Sequence, residues 1–545
     1  MYFLQIYQLF GQLLFKMNYK LFVYLYVLTT LFGCTTTEKS YSDKDVFRYN
    51  EHSDITSLDP AFAKDQRNIW AVHQLYSTLV GLDANLDIAP DLAKRWTISD
   101  DGLTYIFHLR DDVYFHDYSI LKNRKLAAAD VVFSLKRLSD PKLASPGSWT
   151  MTYVKSIRAL DEYTVQIELK QNFPAFLGIL SMKYCSILPE EVKDGLIDFR
   201  DNPIGTGPFY FKDWIPKEKL VFRKNPLYFE TDSLGHQLPY LEAVAITFLP
   251  DKQSEFLQFV QGKLDFINGL DISYKDELLN AKAELRPQYK SKIEMDKIIQ
   301  LNTEYIGFNL SHPKFSADSK NLRKAINYGI DKEKMIKYLR NGIGTAATQG
   351  FVPPSLLGKK EVKGYDYNPA LARQYLNLYK SDQNMENPSI TLSTNPSYVD
   401  LIELIQSDLK KIGINVSIDV MPASTLRQKR SSGDLEAFRA SWIADYADAE
   451  NYLSLFYSKN KSPNGPNYTF FESPTYDSLY INAINTASNK ERLKLYAQLD
   501  SIVIEEAVVI PLLYDEIIRF KSKSLENFST NSINMLELKE TYKTD

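Results

Sequence analysis

Cysteine and histidine are scarce in this 545-residue chain, which has two of the first and six of the second. The histidines, His52, His73, His108, His116, His236 and His312, are scattered, and none follows residue 312. No HExxH or CxxC spacing occurs, so the close imidazoles or thiolates that a zinc site needs are missing and no metal is expected. His108 and His116 flank a predicted hairpin and read as packing or hydrogen-bonding residues. There is no GxSxG nucleophile elbow and no Walker Lys-Ser or Lys-Thr pair. "GIGTAA" from Gly342 superficially matches a dinucleotide fingerprint, but a predicted helix precedes it and "TQGFVPPS" follows, whereas that fingerprint must leave a strand and open a helix. "PIGTGPFYF" from Pro203 reads as a rigid turn entering a strand. The net charge of -4, without a long basic run, leaves no electrostatic footprint for nucleic acid. No local constellation selects a glycosidase carboxylate pair. The expectation is a protein without catalysis and without a cofactor.

Acidic residues are also absent from positions 1 to 33, where Lys20 is followed by "LFVYLYVLTTLFG" and then Cys34. The apolar run from Leu21 to Phe32 is too short for an ordinary membrane-spanning helix, and polar "TTTEKSYSDKD" comes next. This is the pattern of a removable export signal at 1–33, with Met17 a plausible true start. "LFGC" resembles a bacterial lipobox, in which Cys34 becomes the lipidated first residue of a membrane-anchored lipoprotein with a tether over 34–44. The alternative is an ordinary signal peptide. After Cys34 only Cys185 remains, so the mature chain has no intramolecular disulfide, and Cys185 in "SMKYCSILPEEV" reads as a buried structural thiol.

The remaining composition is globular, with 44% hydrophobic and 24% charged residues, and 36 Tyr with 30 Phe imply aromatic-rich surfaces or clefts. This length calls for two or three domains. The pattern is mixed α/β. "SITLSTN" from Ser389 alternates as a strand, and Ile402, Ile405, Leu409 and Ile412 share one face of a following helix that Gly413 ends. "INVSIDV" then alternates Ile414, Val416, Ile418 and Val420 as a second strand, giving a parallel crossover. Leu322, Ile326 and Ile330 mark a helix, and Asp331 caps another containing Met335, Ile336 and Leu339. "DGLTYIFHLRDDVYF" reads as a hairpin or meander around Gly102 before the helical "AAADVVFSLKRL", and "EYTVQIEL" as a further strand.

Several of these segments, in order, resemble the family 5 extracellular solute-binding proteins of ATP-binding cassette importers. They are "LAKRWTISDDGLTYIFHLRDDVYFHD" with "AADVVFSLKRL", "PIGTGPFYFKDW" with "FRKNPLYF", "LRKAINYGIDKEKMI" and "ASWIADYADAENYL". Tyr118 departs from the glycine usual in the family's corresponding turn. The resemblance implies an α/β, two-lobed periplasmic-binding-protein fold (cluster C, type II) that closes on ligand like a flytrap, with an extra subdomain in the first lobe. The implied division is lobe I from 45–80, 201–300 and 510–545, the extra subdomain from 81–200, and lobe II from 301–509.

It also implies a site. In the peptide-binding branch an Asp in the segment like "RASWIADY" receives the peptide's α-ammonium, and the matching residue is Asp445. A carboxylate there offsets the desolvation of an enclosed ammonium. Trp442 and Tyr446 would wall the cleft, and backbone groups would pair with the extended peptide. Arg439 and Arg430 resemble the arginines that take peptide carboxylates, for which a guanidinium is well shaped; each has a structural ion pair as its alternative. Asp448 and Glu450 read as solvent-facing or helix-capping. The implied function is capture of short peptides for an inner-membrane permease by a monomeric lipoprotein in the periplasm or cell envelope. The alternatives are another solute on the same fold, namely a nickel chelate, haem or an oligosaccharide, and a peptide-sensing receptor.

Overall fold

The computed structural model describes residues 45–118, 121–195, 197–269, 271, 274–280, 283–358 and 362–544. The export signal, the lipobox and Cys34 lie outside the described residues. Three larger sheets organise what is described. The first runs in the order Val46–Asn50, Ala243–Thr247, Lys219–Lys224, Phe209–Ile215, with the first pair parallel and the others antiparallel. Phe47, Tyr49, Phe222, Val244 and Ile246 point into one core, joined by Trp70 and Leu75 of the helix Gln66–Leu75. Asp65 starts that helix by accepting the Asn68 amide at 3.3 Å. Leu525, Phe528, Leu536 and Leu538, from the far end of the chain, complete the same core.

The second sheet is antiparallel throughout, in the order Ala93–Ile98, Thr104–Leu109, Thr164–Leu169, Val154–Asp161. The expected hairpin around Gly102 is there, and Gly102 takes a φ of 70° that side-chain-bearing residues rarely adopt. Tyr105, Phe107 and Leu109 alternate inward with Val165, Ile167 and Leu169, and the helix Ala128–Arg137 covers them through Val131 and Leu135. Cys185 belongs to this core, where burial pushes its thiol up to about 12, so it is the structural residue expected. The "PIGTGPFYF" turn does enter the strand Phe209–Ile215. His116 sits buried beside it, taking the Gly205 amide at 3.3 Å on Nδ1 and meeting the Gly207 carbonyl at 3.1 Å through Nε2. A Cβ on Gly205 would lie 2.2 Å from the Leu75 carbonyl oxygen, so only glycine permits this backbone crossing.

The third sheet has the order Phe266–Asn268, Val509–Ser522, Ile293–Phe308, Ala437–Ile443, Ser389–Thr394, Asn415–Val420, with Thr345–Ala346 also paired to Val509–Ser522. The predicted crossover is present: Ser389–Thr394 and Asn415–Val420 run parallel, joined by the helix Val399–Ile412. Ile402, Ile405, Leu409 and Ile412 are buried as expected, and Gly413 ends the helix at a φ of 97°. Val420, the last residue of the sheet's edge strand, is 46% exposed. The two predicted helices are Lys320–Gly329 and Lys332–Leu339, the second capped by Asp331, whose side chain accepts the Lys334 amide at 2.9 Å. "GIGTAA" leads into Thr345–Ala346, an accessory strand. The long strands Ile293–Phe308 and Val509–Ser522 pair along most of their length, with register shifts between Ile299 and Thr303 and between Glu304 and Tyr305. Such breaks in a ladder locally bend and twist the strand pair.

Candidate functional site

The strand Ala437–Ile443 pairs antiparallel with Ile293–Phe308, setting Trp442 opposite Thr303 and Ile443 opposite Asn302. The Ala444 amide then donates to the Leu301 carbonyl at 2.8 Å, and the chain leaves the sheet through residues 444–448 into the short helix Glu450–Leu453. Asn451 on that helix ties the exit together. Its Oδ1 accepts Trp442 Nε1 at 2.8 Å and the Asp445 amide at 3.3 Å.

Asp445 therefore projects into a cavity of about 780 Å³. Solvent in the cavity reaches it, yet protein walls surround it, and that burial raises its carboxyl pKa; a hydrogen bond from Asn451 opposes the rise, and no cation contributes. Tyr446 lines the cavity beside it and packs into the core of the second sheet with Phe176, Ile179 and Leu180. Asn172 Nδ2 also donates to the Asn485 carbonyl at 3.3 Å. Segments 172–180 and 446–485 are thus in contact.

The other walls come from segments far apart in sequence: 73–91, 181–183 and 525–540, with Pro208, Tyr228 and Glu230. His73 Nε2 meets Glu537 Oε1 at 2.9 Å, and Lys539 pairs with Glu230. Lys521 Nζ lies 3.5 Å from both Glu294 and Asp296. Asp91 accepts the Thr78 amide at 2.9 Å, and burial pushes its carboxyl up to about 6. None of these wall residues was singled out from sequence. The one signal was a lysine, Lys183, set in the apolar run "SMKYCSIL".

Neither arginine expected to meet a ligand carboxylate lines this cavity. Arg439 is buried, ion-paired to Glu304 across the strand pair, and its guanidinium carbon stacks 3.2 Å from the centre of the Tyr398 ring. Arg430 ends the helix Ala423–Ser432 with its guanidinium 4.1 Å from the Tyr468 ring centre. Trp442 positions Asn451 and does not itself line the cavity. Asp448 does act at the helix start, accepting the Glu450 amide at 2.8 Å. Glu450 corrects its sequence reading: it is 2% exposed, and Tyr446 and Tyr480 both donate to its carboxylate. Burial pushes Glu450 up to about 7 despite those two donors.

A cavity lined by segments far apart in sequence suits the binding of a solute. The profile of the bacterial extracellular solute-binding proteins, family 5 Middle, matches residues 87–464, and the chain belongs to that family. It is 29% identical over 507 residues to heme-binding protein A of Haemophilus influenzae, covering 88% of each chain. It is 28% identical over 484 residues to glutathione-binding protein GsiB of Salmonella typhi, covering 87% of this chain and 90% of that one. The periplasmic binding protein DppA of Helicobacter pylori, solved with the peptide STSA, superposes with a TM-score of 0.73 at 28% identity, over 91% of this chain and 98% of that one. The fold is thus the two-lobed periplasmic-binding-protein fold, and the protein is a solute-binding component of an ATP-binding cassette importer. Its relatives are binding proteins, and among the described residues no helix is long and apolar enough to cross a membrane.

Proposed function

We propose that this protein captures short peptides between its lobes for import, with Asp445 receiving the peptide's α-ammonium. One observation carries the reading: Asp445 is a carboxylate exposed to the cavity, its backbone amide held by Asn451, with no cationic partner among the described residues. An ammonium placed there gains the charge-assisted contact that the protein leaves unmade. The cavity volume of about 780 Å³ falls in the range of small-ligand sites. Haem has propionates and no ammonium, so it would leave Asp445 unpaired, whereas glutathione is a peptide with a free ammonium and fits the same scheme. Tyr446 walls the site, and Trp442 acts through Asn451.

The remaining assignments follow from this reading. Lobe I takes 45–80, 201–300 and 510–545 with the extra subdomain 81–200, and lobe II takes 301–509. Opening hinges on the register shifts near Ile299–Thr303. Cys34 carries the lipid that holds the protein at the membrane beside its permease, in the periplasm or cell envelope, and the protein works as a monomer without catalysis. Calorimetric titration with a free tripeptide, the same peptide N-acetylated, glutathione and haem tests the proposal. Binding of the free peptide with a large loss on acetylation is expected. Binding of haem alone would overturn it.

A further inference from the structure

On the wall formed by residues 181–183, Lys183 begins the single helical turn Lys183–Cys185 and is 9% exposed. It lines the cavity that Asp445 lines, and no hydrogen bond or ion pair holds its ammonium among the described residues. The charged groups around it each have a partner of their own. Glu537 is in contact with His73, Lys539 is paired with Glu230, and Asp91 accepts the Thr78 amide. A buried ammonium with unused donors is unfavourable unless something supplies an acceptor. Lys183 and Asp445 thus present a cation and a carboxylate to one and the same cavity.

We infer that Lys183 is the anion receptor of the site and takes the ligand's carboxylate, since neither Arg439 nor Arg430 lines this cavity. The inference rests on the peptide reading above. It makes the preferred ligand a zwitterion, with its ammonium on Asp445 and its carboxylate on Lys183, drawn from opposite lobes so that one molecule bridges the closure. Burial lowers the pKa of Lys183, while Asp91 and Glu537 raise it and Lys539 lowers it further. A ligand carboxylate supplies the compensating charge at contact distance.

The test is titration of the purified protein with one tripeptide as the free acid, the C-terminal amide and the N-acetylated acid, in wild type, Lys183→Met and Lys183→Arg. Methionine keeps the volume without the charge, and arginine keeps the charge should methionine impair folding. Wild type is expected to prefer acid over amide by about tenfold or more, from the lost charge-assisted contact. Lys183→Met should bring the two within about twofold, and Lys183→Arg should retain a preference. An unchanged acid preference in Lys183→Met, or no acid preference in wild type while acetylation still abolishes binding, overturns the inference and leaves the Asp445 reading standing. Failure of wild type to bind any of the three peptides overturns both.

Discussion

Asp445→Asn keeps the shape of the side chain and its place beside Asn451 while removing the charge. In the ligand-bound protein the lost interaction is an ammonium–carboxylate pair enclosed between lobes. Breaking one partner of such a pair typically costs about 2–5 kcal/mol. Because cavity water reaches Asp445, the lower part of that range applies, about 2–3 kcal/mol, or roughly 30- to 150-fold in Kd. The assay is calorimetry at pH 7.5 with a free tripeptide and its N-acetylated form. The acetylated peptide has no ammonium to lose, so its affinity should change by no more than about threefold. The free peptide also reports on protonation: since burial raises the carboxyl pKa of Asp445, lowering the pH protonates the group before ligand can pair with it. Affinity for the free peptide should therefore fall as pH is lowered through that pKa, and the fall should vanish in Asp445→Asn. Equal losses for free and acetylated peptides would refute the reasoning.

Three other perturbations test the account. Arg439→Ala leaves Glu304 as an uncompensated buried charge and should lower stability by about 3–5 kcal/mol in chemical denaturation, without changing the ratio of acid to amide affinity; Arg439→Met combined with Glu304→Gln should recover much of that stability. Glu450 keeps a proton in the folded protein that the unfolded chain releases above about pH 4.5, so stability is lost as pH rises from about 4.5 to about 7. Glu450→Gln should remove this loss, raising Tm relative to wild type more at pH 8 than at pH 5, and an equal difference at both pH values would contradict it. Gly205→Ala forces a methyl against the Leu75 carbonyl and should destabilise by about 1–3 kcal/mol in the same denaturation assay.

The elements that sequence predicted well are those whose periodicity answers to one neighbour. The face Ile402, Ile405, Leu409, Ile412 had only to cover a sheet, and it does. Asp331 had only to cap the helix beside it. Asp445 belongs to one contiguous segment, and it lines the cavity. Arg439 looked free because its partner Glu304 is 135 residues away and meets it only through strand pairing. Glu450 looked solvent-facing because Tyr480, one of its two donors, comes from another helix. Lys183, His73, Glu537 and Lys539 share a wall only after the two ends of the chain meet in one core, which no local pattern announces.

The central claim, a site built for a zwitterionic short peptide, is tested most directly by the ligand the protein selects for itself. The chain from Thr35 to Asp545, purified without unfolding, should give a native mass spectrum carrying a distribution of short-peptide masses. Asp445→Asn, prepared the same way, should be largely stripped of them. A single mass matching haem, a metal chelate or a sugar, retained equally by wild type and Asp445→Asn, would contradict the account.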